Sequence, residues 1–185
     1  GEPSDGRSQA NAIAAEDPQL LGSGNVLPSS VLTQEIKVYR WKDAVKAGKL
    51  DTGLRYDYFE PDGKIDISFV NGQPVASGIA MQLNNLYKKR TAKYALAFTG
   101  FIRVDKSQAL TFFTESDDGS KLFIDDEEVV NNDGDHGAQE KSGKVFLKKG
   151  MHKIKILYFD SGGGNSLKVL MQIEGGKKTE IPAAT

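Results

Sequence analysis

The sequence predicts an all-β fold, an antiparallel β-sandwich or barrel with an irregular N-terminal leader. Three observations lead there. From residue 94 onward, short apolar-alternating runs follow one another, separated by Gly, Asp and Asn turn residues. No strand–helix alternation occurs, which excludes Rossmann and TIM layouts. Residues 1–35 contain no aromatic residue and three of the six Pro, a composition that buries little apolar area.

In chain order, 1–35 therefore read as a flexible leader or linker and 36–185 as one domain. A linker to another domain or to a membrane anchor has the same composition. Glu35–Arg40 alternates charged and apolar residues as a half-buried strand does. Trp41–Ala47 fits a short helical turn stopped by Gly48. Leu54–Phe59 is a strand closed by the turn Pro61-Asp62-Gly63. Residues 62–92 are the hardest to read: Ile65 and Ile67 alternate with polar residues, Asn71-Gly72 and Pro74 break the pattern, and Met81–Tyr87 has the spacing of a short helix.

Seven strands are expected after that: Tyr94–Val104, Ala109–Glu115, Lys121–Ile124, Glu128–Val130, Gly143–Leu147, His152–Phe159 and Leu167–Ile173. Gly100 inside the first of these marks a bulge or a close backbone approach. Asp125-Asp126 reads as a hairpin turn, and His152 as a packed or capping residue at a strand start. Alternation assigns Phe98, Phe112, Leu122, Ile124, Ile154 and Ile156 to the core.

Composition narrows the chemistry. The 185 residues carry Lys+Arg 24 against Asp+Glu 25, so no cationic surplus drives binding to nucleic acid. No apolar run approaches the ~20 residues of a membrane-inserted helix. Gly1 in place of Met is read as the start of a trimmed chain. The absence of Cys removes disulfides, thiolate metal sites and a Cys nucleophile. His136 and His152 are the only imidazoles, no Gly-x-Ser-x-Gly elbow exists, and Gly162-Gly163-Gly164 lacks the Lys-Ser/Thr and helix of a phosphate loop. Lys88-Lys89-Arg90 reads as a solvated edge or turn, and His136 as a hydrogen-bonded loop residue.

Three oxygen-rich loops stand out: Ser116–Ser120, Asn131–Gly137 and Asp160–Asn165. Each alone reads as an ordinary Asx-type turn. Together, if they meet at one end of a sandwich, they offer the hard oxygen donors that calcium selects. Adjacent carboxylates at Asp117 and Asp118 repel each other unless something positive lies between. The loop from Asn131 is not an EF-hand, because His136 replaces the required Gly and Ser142 the required Glu.

Gly53–Phe59, Phe98–Val104, Thr111–Asp125, Val129–Gly134, Lys149–Ile154 and Tyr158–Asp160 with its Gly-rich loop, in that order, resemble the PA-fourteen domain of glycosidases, adhesins and toxins. The resemblance spans about residues 50–182. It implies an antiparallel sandwich. From the family's lectin branch it implies a calcium ion held by a cis-linked Asp pair and an Asn from a later loop, with sugar hydroxyls completing the shell. Carried over, the metal- and carbohydrate-binding residues are Asp117, Asp118 and Asn165, with Asn131 or Asn132 as alternatives to the last. The chain departs from the family at Asp125-Asp126, where Asp-Gly is usual, and follows it weakly over 60–92. A segment like Lys37–Trp41 precedes such domains in some hexosaminidase-type glycosidases.

The function so read is a non-catalytic carbohydrate-binding module with calcium as cofactor. Its partner is a glycan or polysaccharide, and it is a monomer or part of a larger multidomain chain. Its place is extracytoplasmic, in a secreted, periplasmic or cell-surface protein, among them glycosidases in which it is an accessory domain. The first rival is a protein-interaction or structural adhesion module without sugar or metal; the second is a small hydrolase using the Asp cluster.

Overall fold

The computed structural model describes residues 41–45 and 52–181. The leader expected over 1–35, its boundary at 36 and the strand expected over 35–40 lie outside the described residues. The strands are β1 (Trp41–Lys42), β2 (Leu54–Phe59), β3 (Ala76–Ala80), β4 (Tyr94–Val104), β5 (Gln108–Asp117), β6 (Ser120–Ile124), β7 (Glu127–Asn132), β8 (Gln139–Leu147), β9 (Gly150–Asp160), β10 (Ser166–Ile173) and β11 (Lys178–Glu180). They form two sheets, ordered β1-β8-β5-β10-β11 and β3-β2-β4-β9-β6-β7. Every neighbouring pair is antiparallel except β1 with β8.

The all-β sandwich expected from alternation is present. All six residues assigned to the core from sequence are buried, and all belong to the cluster between the sheets. A second cluster lies on the opposite face of β4 and β9: Ala95, Ala97, Leu157 and Phe159 pack with Phe59, Ile65 and Phe69. Phe59 and Phe69 meet edge to face at 5.0 Å between ring centroids. This second layer explains why 62–72 resists a periodicity reading. The segment is a cover, not a strand, and it turns through a 3-10 helix (Ile67–Asn71) capped by Asp66, whose carboxylate accepts from Ser68 N.

Three local expectations are corrected, and at Gly100 one of the two expected alternatives holds. Trp41–Ala47 is not a helical turn within 41–45: Trp41–Lys42 pairs with Phe146–Leu147 as a parallel strand, and Val45 bridges Met151. Trp41 rests edge-on against Phe146, a contact that strand geometry permits and an isolated turn cannot offer. Between Met81 and Tyr87 only Asn85–Tyr87 is helical, as one 3-10 turn whose N-cap Asn84 accepts from Leu86 N. Ile67 opens the 3-10 helix instead of continuing an alternation. At Gly100 the β4–β9 register runs unbroken, so it is no bulge; an added Cβ would lie 3.1 Å from Leu54 Cγ, and close packing explains the glycine.

Asp125 and Asp126 both have positive φ, 50° and 66°, the geometry of a two-residue hairpin turn. Asp125 holds it by accepting from Lys153 N at 2.8 Å. His152, fully buried, bridges that carboxylate (2.7 Å from Nδ1) to Lys148 O (2.8 Å from Nε2). The packing role expected of His152 is thus a clamp between two turns.

Ile154 sits in β9 at the centre of the core, paired with Gly100 and Ile124. Ile154→Ala should cost about 2–5 kcal/mol in urea unfolding; a loss under ~0.5 kcal/mol, the level of surface sites, would contradict this packing.

Candidate cation and ligand site

β5 belongs to one sheet and β6 to the other, so the link Asp117-Asp118-Gly119 is the crossing between layers. That puts the Asp pair at one end of the sandwich. The peptide bond between the two Asp is cis. Gly119 is required: an added Cβ would fall 2.3 Å from Phe159 Cε1 and 2.9 Å from Gly134 N. The loops 133–138 and 161–165 and the segment 85–93 reach this same end.

The two carboxylates are held very differently. Asp118 is buried; its Oδ1 accepts from His136 N at 3.0 Å, and its Oδ2 accepts from Ser161 N at 2.8 Å and Ser161 Oγ at 3.0 Å. It ties two loops together, and its charge is met by three donors. Asp117 is half-buried, and among the described residues its carboxylate has no hydrogen-bond or ion-pair partner. Its main-chain oxygen accepts from Tyr158 Oη at 2.7 Å. The backbone of the glycine loop lies against its side chain, since a Cβ at Gly164 would stand 2.6 Å from Asp117 Oδ2.

Asn165 precedes Ser166, the residue paired with Asp117, but its side chain is bound on the other side. Its Oδ1 accepts from Asn85 Nδ2 at 3.0 Å and from Lys88 Nζ, and its Nδ2 donates to Thr91 O at 2.9 Å. Of the alternatives, Asn132 lies near Asp118, since His136 donates its N–H to Asp118 Oδ1 and sets its ring against Asn132 O, and the Asn132 Oδ1 is buried with no partner among the described residues. Asn131 is exposed, donating to Glu128 Oε1 and accepting from Asp133 N. Asn132 is buried and donates to Ser116 Oγ and Gln139 O. His136 is the hydrogen-bonded loop residue expected, with its ring against Asn132 O and Gly137 O.

The sequence placed Asp160 at the head of an oxygen-rich loop but did not single it out as a site residue. Asp160 is 0% exposed. Its Oδ2 accepts from Lys93 N at 2.8 Å, while Oδ1 is buried with no partner among the described residues. Burial pushes its carboxyl above the ordinary aspartate range, and the charges of Asp118 and Asp117 push it further. Asn85 went unnoticed, and Lys88, read only as part of a solvated basic run, donates to Asn165 Oδ1. Asn85 also reaches Tyr94 Oη at 3.3 Å, and Tyr94 and Tyr158 stand hydroxyl to hydroxyl at 3.4 Å. A polar ladder thus runs from the 3-10 turn to the Asp pair. Its only sequence trace is Tyr158-Phe159-Asp160, where the apolar run of β9 meets the glycines.

Chemically, this is a set of carboxylates held where several loops meet. An unpartnered Asp117 carboxylate and an orphaned buried Asp160 oxygen fit a hard cation, which takes oxygen donors. Among the described residues no three acidic or His side chains converge closely enough to grip one ion together. Loop carbonyls, water or ligand hydroxyls would have to complete a shell.

The PA14 domain profile matches residues 51–184. Among curated proteins, the protective antigen of Bacillus anthracis is 33% identical over 78 residues, 42% of this chain and 9% of that protein. The anti-sigma-I factor RsgI3 of Acetivibrio thermocellus is 27% identical over 92 residues, 49% of this chain and 14% of that protein. The chain therefore spans only a small part of the relatives it matches. Among solved structures, an anti-sigma factor domain-containing protein from Clostridium clariflavum has a TM-score of 0.61 at 24% identity, covering 72% of this chain and 46% of that one. The PA14 sugar-binding domain from an RTX adhesin has 0.61 at 16%, covering 72% and 99%. The epithelial adhesin 9 A domain of Candida glabrata, in complex with Galb1-3GlcNAc, has 0.58 at 9%, covering 80% and 98%. At these identities the structural likeness establishes the fold.

A buried acid held above its ordinary value binds a proton more readily folded than unfolded. Asp160 therefore withdraws stability as pH rises from the unfolded aspartate value, about 3.9, to its raised folded value. Asp160→Asn removes that loss, and its amide oxygen can still accept from Lys93 N. With chelator present, the variant should be more stable than the parent at pH 7, and the difference should close near pH ~3. Denaturant unfolding at both pH values measures this; a variant no more stable at pH 7 would sink the assignment.

Proposed function

The chain belongs to the PA14 domain family, and from that premise we propose that it is a non-catalytic carbohydrate-binding module of a larger exported or cell-surface protein, with calcium at the Asp117–Asp118 pair as part of the sugar site. The observation that carries this reading is the Asp117 carboxylate, half-buried and unpartnered, at a loop-walled end where Asp118 and Asp160 add negative charge. Such a group is stable only with a cation or with water, and a calcium ion with open positions is a ready acceptor for sugar hydroxyls. The sugar-binding RTX adhesin domain and the glycan-bound epithelial adhesin domain share the fold and support the same ligand class.

Within this reading Asp117 supplies a direct ligand. Asp118 shapes the site by tying loops 133–138 and 161–165, and its carboxylate adds charge. Asn165 joins the shell only by exchanging Lys88 or Asn85, because an amide oxygen has two lone pairs and both are in use. Loops 161–165 and 85–93 would then face the sugar. Among the described residues no helix is long and apolar enough to cross a membrane.

One observation favours the protein-interaction rival. Val75, Ile79, Met81 and Leu86 are exposed on and beside β3, the edge strand of its sheet. A cavity of about 240 Å³ between Met81, Leu83 and Leu167 adjoins them.

A glycan array run with calcium and with chelator separates the two readings. Extracellular calcium modules bind at ~10⁻⁴ to 10⁻³ M, so titrations must reach millimolar. At ~100 times the dissociation constant, calcium should stabilise the fold by about 2.7 kcal/mol. Replacing Asp117 and Asp118 with Asn should abolish both that gain and the chelator-sensitive glycan binding. Glycan binding indifferent to chelator, or a calcium shift preserved in the double variant, would refute the site; protein capture without any glycan would favour the rival.

A further inference from the structure

Beyond the Asp pair, the group at this end with the least explanation is Asp160. It is fully buried, one of its oxygens has no partner among the described residues, and no cationic side chain among them pairs with it. The ammonium of Lys88, at this end, is spent on Asn165. The support of Asp160 is main-chain only: Lys93 N donates to Oδ2, and the Gly162 backbone lies against the carboxylate. Burying a carboxylate in this way, beside two others, is among the costlier arrangements a small domain can carry. A purely structural strand end would be served as well by Asn or Ser, which accept from the same Lys93 N without the charge. The charge itself therefore calls for a purpose, and Asp160 stands beside both other carboxylates: the next residue, Ser161, donates to Asp118 Oδ2, and Tyr158, two residues back, donates to the Asp117 carbonyl.

Resting on the proposed cation site, we propose that Asp160 sets the charge of that site from outside the ligand shell: a third carboxylate, acting through space, that tightens cation binding at Asp117 and favours ions of higher charge. Through-space action follows from the geometry, since among the described residues the three carboxylates do not close around one point. The low polarisability around a fully buried group lets its field reach the ion with little screening. A field acting in this way has a signature. Coulomb energy is proportional to the charge of the ion, so a trivalent cation must feel Asp160 half again as strongly as a divalent one.

The test is metal titration of the intact, metal-stripped chain with calcium chloride by calorimetry and with terbium chloride by tyrosine-sensitised luminescence. Wild type, Asp160→Asn and the Asp117→Asn/Asp118→Asn double variant are compared, each shown to be folded by near-ultraviolet circular dichroism. Asp160→Asn is isosteric and keeps the acceptor for Lys93 N. It should weaken calcium by about tenfold and terbium by about thirtyfold, the larger loss following the larger charge. Equal losses for both ions would mean a disturbed site and overturn the proposal. Losses under twofold for both, with the double variant still abolishing binding, would overturn it and leave the cation site standing. Wild type that binds neither ion at millimolar concentration would overturn the cation site and Asp160's role together.

Discussion

Everything in this domain hangs on the pairing of β4 with β9. The two strands match along their full length, from Tyr94 opposite Asp160 to Val104 opposite Gly150. They are covered on both faces, by the inter-sheet core on one side and by the Phe59–Phe69 layer on the other. Two consequences follow at the two ends. At one, His152 and Asp125 clamp the β6–β7 turn to the β8–β9 turn. At the other, the register sets Asp160 against Tyr94, aims Tyr158 at the Asp117 carbonyl, and launches both the glycine loop and, in reverse, the 88–93 segment. The candidate site is what this strand pair carries at its tip.

The same pairing explains how the site end tolerates its polarity. Tyr58, Tyr94 and Tyr158 form a row leading to the Asp pair, Tyr58–Tyr94 stacked at 6.1 Å and Tyr94–Tyr158 edge to face at 5.9 Å between ring centroids. Their rings finish the core and their hydroxyls begin the polar layer. Burial raises Tyr94 and Tyr158 above the usual phenol range, so both stay neutral and can donate. A neutral donor on the Asp117 carbonyl fixes the backbone without cancelling the carboxylate charge. Asp118, with three donors, and Asp117, with none, then divide the work: one holds loops, the other is left for an incoming group.

Legibility in the sequence tracked burial. β4 and β9 announce themselves because aromatic and β-branched residues fill consecutive inward positions. β8 begins at Gln139, four residues before Gly143 where alternation starts, because Glu140, Lys141 and Ser142 have no apolar rhythm; β5 alone recruits them. β3 escaped notice as Ala-Ser-Gly-Ile-Ala, an edge strand in which Gly78 makes room for the Tyr56 ring. β11, Lys178–Glu180, is exposed throughout and carries no hydrophobic signal. At the site, the Asp pair was readable because adjacent carboxylates are awkward in an ordinary turn. Asp160 was not, because Asp before Ser-Gly-Gly-Gly is what any strand end looks like. Its significance comes from the register that buries it, and register is a property of two strands, not of one run of residues.

The stretch that resists reading, 81–93, is the one that binds Asn165. That is no accident of composition. A segment that covers a strand end and answers to a neighbouring loop, not to a core, has no reason to keep a period of 2 or 3.6. Asn85 shows the result: one amide meets Tyr94, Asn165 O and Asn165 Oδ1, joining the tyrosine ladder to the glycine loop. Lys88 completes the arrangement on the same oxygen. The loop and the 85–93 segment are therefore linked through one side-chain oxygen. Under the proposed cation site, an ion beside Asp117 would carry the same sign as the Lys88 ammonium, so drawing Asn165 toward the ion and releasing Lys88 would be favoured together.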